Sequence, residues 1–305
     1  MLDKFLLLLN KRIQGVPLQY LIGRVDFCGL TLAVREPILI PRPETEAMCE
    51  WTSYVFNRKL SNQNAQGECI WPIKVPFDFL SLGTSNTPTK CSSSSKSQIA
   101  PKLRILDLCS GSGCISLALA SLLPQSYVVG VDLNPSAVAL SNLNQQKAIQ
   151  QGNISHERVQ FVKGDVLNAI DLQRALSSLD FNLGTGPPFD LIISNPPYVT
   201  KLLYESSQIE LKYEDKHALC IDEDESGLLF YSKIIEQANY LLKPLSELNS
   251  DRILPELIFE FGTTQQGRAI KKLLINTGFL TVQIVKDPFN RDRWIAATRK
   301  KLNEC

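Results

Sequence analysis

The tetrapeptide Asn195-Pro196-Pro197-Tyr198 closes an apolar run, FDLIIS, at residues 189–194. Its asparagine carries an amide that both donates and accepts, and the Pro196 carbonyl adds a second acceptor. Two successive prolines hold that carbonyl and contribute no N–H of their own. A planar –NH2 group fits such a set of acceptors, with Tyr198 against its flat face. The nitrogen of an amide or exocyclic amine is a poor nucleophile because its lone pair is delocalised. Accepting both of its protons favours localisation of that lone pair toward an electrophile, and alignment can contribute about 7–11 kcal/mol. No histidine or carboxylate base is needed. As structure alone, the same residues make a plain turn leaving a strand.

A second constellation lies upstream, in ILDLCSGSGCISLALA at residues 105–120. The loop Cys109-Ser110-Gly111-Ser112-Gly113 is small enough for a ligand to approach its backbone, and its glycines can take dihedrals closed to other residues. The helix that follows adds free N–H groups at its start. A dinucleotide is one possible ligand, but Ser116 stands where the G-x-G-x-x-G fingerprint has its last glycine. Asp107, just ahead of the loop, suits an ammonium or a ribose better than a pyrophosphate.

Two further carboxylates follow the next two apolar runs. Asp132, nineteen residues after Gly113, could accept from two ribose hydroxyls, each bond worth about 1.5–3 kcal/mol. Nicotinamide enzymes use the same device, and D-L-N-P is also good helix-start chemistry. Asp165, in KGDVLNAI, could cap a helix or accept from an adenine amino group with Val166 against the ring. An electrophile with a ribose, an adenine and an ammonium-bearing tail, and without phosphate, is S-adenosylmethionine.

These residues need a scaffold that brings them together. The runs RILDL, SYVVGVD, RVQFV, FDLIIS and ELIFEFG are short and almost continuously apolar, as expected of strands covered on both faces. Helical patterns over 114–123, 136–151, 166–176, 227–242 and 265–276 separate them. This alternation predicts an α/β fold, a doubly wound, mostly parallel sheet with its ligand crevice beyond the carboxyl ends of the strands. FLTVQIV and RWIAATR add a hairpin at the sheet's end and make seven strands. Upstream, residues 1–56 hold a short helix, a hairpin in VDFCGLTLAV turning near Gly29, and ILIPRPETEAMCEW entering a helix. Residues 57–101 are polar and low in complexity, an insertion or linker, and 102–305 form the catalytic domain. No internal repeat is present.

Composition removes several function classes. The 305 residues are 44% hydrophobic and 21% charged, as in ordinary globular proteins. A net charge of +1 lacks the broad basic field of an autonomous nucleic-acid binder, so no direct nucleic-acid partner is expected. The eight cysteines contain no Cys-x-x-Cys pair and are joined by only two histidines, which argues against a metal site and for reduced thiols. The longest early apolar run, FLLLL at residues 5–9, is too short to span a bilayer.

Taken together, DLCSGSG, GVD, KGD and SNPPY resemble the class I S-adenosylmethionine-dependent methyltransferases that act on planar nitrogens. The segments GVPLQYLIG and LIPRPETE, residues 39–46, narrow the resemblance to the HemK/PrmC release-factor glutamine methyltransferases, over roughly residues 15–56 and 103–299. That resemblance implies the class I methyltransferase fold, S-adenosylmethionine as cofactor, and methylation of the glutamine amide in the Gly-Gly-Gln motif of a class I peptide chain release factor. Carried over by position, Asp107, Cys109 to Gly113, Asp132, Asp165, Val166 and Asn195 would hold the cofactor. Asn195 to Tyr198 would hold the glutamine amide. Arg42 and Glu44 match the PRPETE element, which lies near the family's active site; a charged helix start reads equally well.

Cys109 stands where many relatives have a glycine, a change tolerated if its dihedrals are ordinary. Only about fourteen residues precede GVPLQYLIG, where relatives carry a helical bundle. Relatives with LIPRPETE are bacterial or organellar and the Ser/Asn-rich insertion looks eukaryotic, so a mitochondrial, soluble monomer is expected. The competing enzymatic reading is methylation of an exocyclic amino group of a base in DNA or RNA, which would need base extrusion and a basic channel. A nicotinamide oxidoreductase and a non-catalytic cofactor-binding scaffold are the readings from other classes.

Overall fold

The computed structural model describes residues 2–57, 71, 103–179, 189–220, 224–247 and 253–300. Apart from Asn57 and Trp71, the insertion at 57–101 lies outside the described residues.

Seven strands form one sheet: β3 (Leu103–Leu108), β4 (Ser126–Asp132), β5 (Val159–Lys163), β6 (Leu191–Ser194), β7 (Leu257–Glu260), β8 (Thr281–Lys286) and β9 (Asp292–Thr298). Their order is β5-β4-β3-β6-β7-β9-β8, and β1 (Arg24–Phe27) pairs with β2 (Leu30–Ala33) in a separate hairpin. β3 to β7 run parallel, while β9 is antiparallel to both neighbours, as a terminal hairpin requires. The chain order therefore reverses between β3 and β4 on one side and β3 and β6 on the other. At such a switch point the loops leaving the strand ends diverge and open a crevice.

The apolar runs are continuous because consecutive residues feed opposite cores. Ile105, Val128, Ile193 and Ile258 face a cluster with Met48, Trp51, Leu117 and Trp294. Their chain neighbours Leu106, Val129, Ile192 and Phe259 face a second cluster with Tyr231, Ile234 and Ile270. The helices that cover the two faces are α4 (Cys114–Leu122), α5 (Pro135–Gln150), α6 (Ala169–Ser177), α9 (Leu229–Leu241) and α10 (Thr264–Asn276). Two short helices, α7 (Lys201–Glu205) and α8 (Lys216–Leu219), follow β6.

Local chemistry sets the helix starts. Asn134 accepts from the Ser136 N–H with Pro135 in the first turn, so α5 begins one residue before the start the pattern predicts. α6 begins at Ala169, not at residue 166. Asp165 Oδ1 instead accepts from the Leu167 N–H, forming a turn, and Asn168 caps the helix through the Asp171 N–H.

Ahead of the sheet come α1 (Leu2–Ile13), α2 (Leu18–Ile22), the β1–β2 hairpin and α3 (Pro43–Asn57). The hairpin turns on Cys28 and Gly29, both at positive φ (48° and 75°), the two-residue turn whose twist matches its strands. α3 buries Thr45, Met48, Cys49, Trp51 and Val55. Trp51 meets Trp294 of β9 edge-on at 6.1 Å between ring centroids. That packing carries the first turn of α3 to the carboxyl ends of β6 and β7.

Candidate active site

A cavity of about 380 Å³ opens at the switch point, within the range of roughly 300–1,000 Å³ usual for small-molecule sites. Of the residues the sequence singles out, Cys109, Gly111, Asp132, Asp165, Val166, Asn195 and Pro197 line it. They come from the loops after β3, β4, β5 and β6, which is why four distant stretches share one wall.

The glycine loop and Asp132 are one unit. Asp132 Oδ2 accepts from the Gly111 N–H at 2.7 Å, and Oδ1 accepts from the Asn134 N–H at 2.8 Å. The carboxylate thus ties the loop after β3 to the turn after β4, and each oxygen keeps a lone pair for a ligand hydroxyl. Burial pushes its carboxyl above the usual range. Gly113 ends the loop at φ +80°, where an added Cβ would come within 2.7 Å of the Phe161 ring. Both the dihedral and the contact demand glycine. Cys109 also has positive φ, 61°, so the condition for its easy tolerance in place of glycine is not met and the loop carries strain at that residue.

Asp107, Ser110, Ser112 and Gly113 support the cavity from below and do not line it. Asp107 is fully buried. Its Oδ2 accepts from the Ser116 N–H and Oγ at 3.1 and 2.6 Å. Burial raises its carboxyl to about 7 against those two donors. Its Oδ1 and the Ser110 hydroxyl have no hydrogen-bond partner. A buried acceptor left open under a ligand cavity fits a ligand that brings a donor, as an ammonium-bearing cofactor would. The adenine and ribose side fits as well, since Ile38, Leu39, Val166, Ala137 and Phe230 give it apolar walls.

The Asn-Pro-Pro-Tyr turn is clamped on both sides. Ser194, the last residue of β6, donates to the Leu108 carbonyl at 2.6 Å. Asn195 Nδ2 donates to Thr45 Oγ1 at 3.1 Å, and Thr45 Oγ1 donates to Glu260 Oε2 at 2.6 Å. One proton of the side-chain nitrogen is given to Thr45, which turns the amide so that its oxygen is the side chain's acceptor for a ligand. At the other end Gln266 Nε2 donates to the carbonyls of Tyr198 (3.2 Å) and Gly227 (2.8 Å). The Tyr198 ring lies over Gly262, where an added Cβ would stand 3.0 Å from two ring carbons.

Arg42 and Glu44 lie outside the cavity wall. Arg42 Nη2 sits 2.7 Å from both oxygens of Glu214, whose side chain is 2% exposed. The next residue, Asp215, does line the cavity; its N–H donates to the Pro37 carbonyl and its Oδ2 accepts from Asn134 Nδ2. Arg42 therefore fastens the segment that roofs the site. Glu44 faces away, paired with Arg291 at 2.9 Å and Arg293 at 3.7 Å.

Thr45, Glu260, Asp215, His217 and Phe230 escaped the sequence reading. Thr45 lies inside LIPRPETE and Glu260 inside ELIFEFG, but nothing local marks either as meeting Asn195. Among the described residues no three His, Cys, Asp or Glu side chains group as a metal site, and no helix is long and apolar enough to cross a membrane.

Residues 99–273 match the family described as Methyltransferase domain. The chain is 30% identical to the release factor glutamine methyltransferase of Flavobacterium psychrophilum over 92% of this chain and 74% of that protein. It is 32% identical to that of Thermodesulfovibrio yellowstonii, over 96% and 80%. The human MTRF1L release factor glutamine methyltransferase is 32% identical over 82% of this chain, which spans 60% of that protein's length. Among solved structures, the hMettl16 catalytic domain in complex with a MAT2A 3′UTR hairpin superposes with a TM-score of 0.53 at 15% identity, covering 93% of this chain and 80% of that one. At that identity the likeness is one of fold.

Proposed function

The chain belongs to the release factor glutamine methyltransferases, and from that premise we propose that it methylates the side-chain amide nitrogen of the glutamine in the Gly-Gly-Gln motif of a class I peptide chain release factor. S-adenosylmethionine supplies an electrophilic methyl group on its sulfonium. Asp132 would hold the ribose hydroxyls, Asp165 and Val166 the adenine, and Asp107 the ammonium from beneath the loop. The observation that carries the reading is the state of Asn195. Its nitrogen is engaged by Thr45, so an acceptor oxygen remains beside the rigid Pro196 carbonyl, matched to the two protons of a primary amide. Tyr198, seated over Gly262, would flank the plane of that amide. Arg42 and Glu44 act at one remove, through the roof segment and the Arg291–Arg293 face.

The mitochondrial release factor is the acceptor this reading names. Its support is the LIPRPETE segment joined to a Ser/Asn-rich insertion, together with the likeness to the human relative. The test is transfer of labelled methyl from S-adenosylmethionine to a recombinant mitochondrial release factor. The same factor with its motif glutamine replaced, and an RNA control, run alongside. Label on the unaltered factor alone is expected. Equal label on both forms, or label on RNA only, overturns the glutamine assignment.

A further inference from the structure

Three elements far apart in the chain meet behind Asn195: the first turn of α3, the end of β6 and the end of β7. Thr45 is 2% exposed and Glu260 is 1% exposed, and the chain of bonds from Asn195 through Thr45 to Glu260 measures 3.1 and 2.6 Å. A hydroxyl has one proton to give. Once that proton goes to Glu260 in its ionised form, which only accepts, the Thr45 oxygen can only accept as well. Asn195 must then turn its –NH2 toward Thr45 and its oxygen toward the cavity.

We propose that Thr45 and Glu260 are positioning residues that fix the sense of the Asn195 amide, so that its oxygen and not its nitrogen meets the planar –NH2 of the acceptor. This rests on the methyl-transfer reading above for its consequence, though not for its geometry. The oxygen and nitrogen of an asparagine amide are almost the same size, so packing alone discriminates poorly between the two senses. The reversed amide would set –NH2 against –NH2, two donors facing. Burial, with Glu44 adding to it, pushes the Glu260 carboxyl up to about 7 against the Thr45 hydroxyl, Arg293 and Arg42, so Glu260 fixes this sense of the amide where it is ionised, above about pH 7. The phenols of Tyr198 and Tyr231 are the other titratable groups near it, and Tyr231 donates to the Glu260 main-chain carbonyl at 2.7 Å.

Thr45→Val keeps the shape and deletes the hydroxyl. Its kcat is expected to fall about tenfold, the scale of one hydrogen bond, with affinity for S-adenosylhomocysteine within about threefold of wild type. Thr45→Ser restores the hydroxyl and should return kcat to within about threefold. Adding Glu260→Gln to Thr45→Val should cost nothing further, because both act through one amide. A readout without turnover accompanies these: the Asn195 side-chain amide resonance, assigned by its loss in Asn195→Asp. Its protons should exchange with solvent about tenfold faster in Thr45→Val and at the wild-type rate in Thr45→Ser.

Unchanged exchange and kcat in Thr45→Val overturn the relay. So does an equal loss in Thr45→Ser, or full additivity with Glu260→Gln, since general packing damage would give either. A wild-type enzyme that leaves the release factor unlabelled overturns the functional reading instead, and the exchange rates still decide the relay.

Discussion

Asp132→Asn separates the tie between two loops that Asp132 makes in the structure from the ribose binding proposed for the same side chain. In the folded protein both carboxylate oxygens already accept a backbone N–H, from Gly111 at 2.7 Å and from Asn134 at 2.8 Å. Asparagine has one acceptor oxygen, so whichever way it turns, one of those N–H groups faces a donor. The loss is one charge-assisted hydrogen bond, about 1.5–3 kcal/mol. Part of it is recovered because burial already disfavours the Asp132 charge. The net is about 2 kcal/mol, which at about 1.6 °C per kcal/mol for a chain of 305 residues lowers the unfolding midpoint by about 3 °C. Affinity should fall further than loop damage alone would explain, by about 10- to 100-fold, since a neutral acceptor replaces an ionised one at the ribose.

The assay is calorimetric titration with S-adenosylhomocysteine and with its analogue lacking the ribose hydroxyls, on wild type and variant. If Asp132 holds those hydroxyls, removing them weakens binding to wild type strongly and to Asp132→Asn little. An equal penalty in both proteins would refute the ribose assignment and leave Asp132 as a structural tie between two loops.

Asn195→Ala should lower kcat by about two to three powers of ten, the scale of one preorganised polar contact, with cofactor affinity within about threefold by the same titration. Cys109→Gly removes a side chain from a residue at φ 61° and should raise the unfolding midpoint by about 1.6 °C, roughly 1 kcal/mol, whereas Cys109→Ala keeps the Cβ and gains nothing. The buried Asp107 carboxyl sits at about 7, far above an unfolded aspartate near 3.9. Between those values the folded chain holds a proton that the unfolded chain has lost. Stability of the cofactor-free protein therefore falls as pH rises from about 4 to 7, by up to about 1.4 kcal/mol per unit for each such group. Denaturant titrations across that window should show a shallower slope in Asp107→Asn, and an unchanged slope would disprove the assignment.

The strands were legible because burial on both faces makes the run apolar throughout, as Ile105 and Leu106 or Ile258 and Phe259 face opposite cores, and because each run is short and bounded by turn residues. The crevice was legible for the same reason, since a parallel sheet puts every such run's last residue at one edge. Boundaries set by competing side-chain bonds were less so. Asp165 and Asn168 could each begin a helix, and only the turn bond to Leu167 decides for Asn168. The φ of Cys109 had no local sign, because the loop imposes it and cysteine does not ask for it. Arg42 and Glu44 stood out by charge, yet charge did not say that their partners are Glu214 and Arg291. Thr45 and Glu260 are 215 residues apart, and no periodicity in either segment encodes their meeting.

This division of labour bears on how one fold serves different acceptors. On the proposed reading the loops after β3, β4 and β5 would hold ribose and adenine groups, and two of these loops are tied to each other through Asp132. The acceptor side depends on more, because Asn195 is held by α3 and by the end of β7, neither of which belongs to its own turn. An Asn-Pro-Pro-Tyr turn therefore offers acceptors wherever it occurs, but their sense and reach are set by what packs behind it. The LIPRPETE segment acts at that point. It delivers Thr45 to the back of Asn195, and through Arg42 it anchors the segment roofing the cavity. Exchange of that segment should change which planar nitrogen is accepted, read by methyl transfer to each acceptor, and because Leu39 also lines the cavity it should alter affinity for S-adenosylhomocysteine in the same titration.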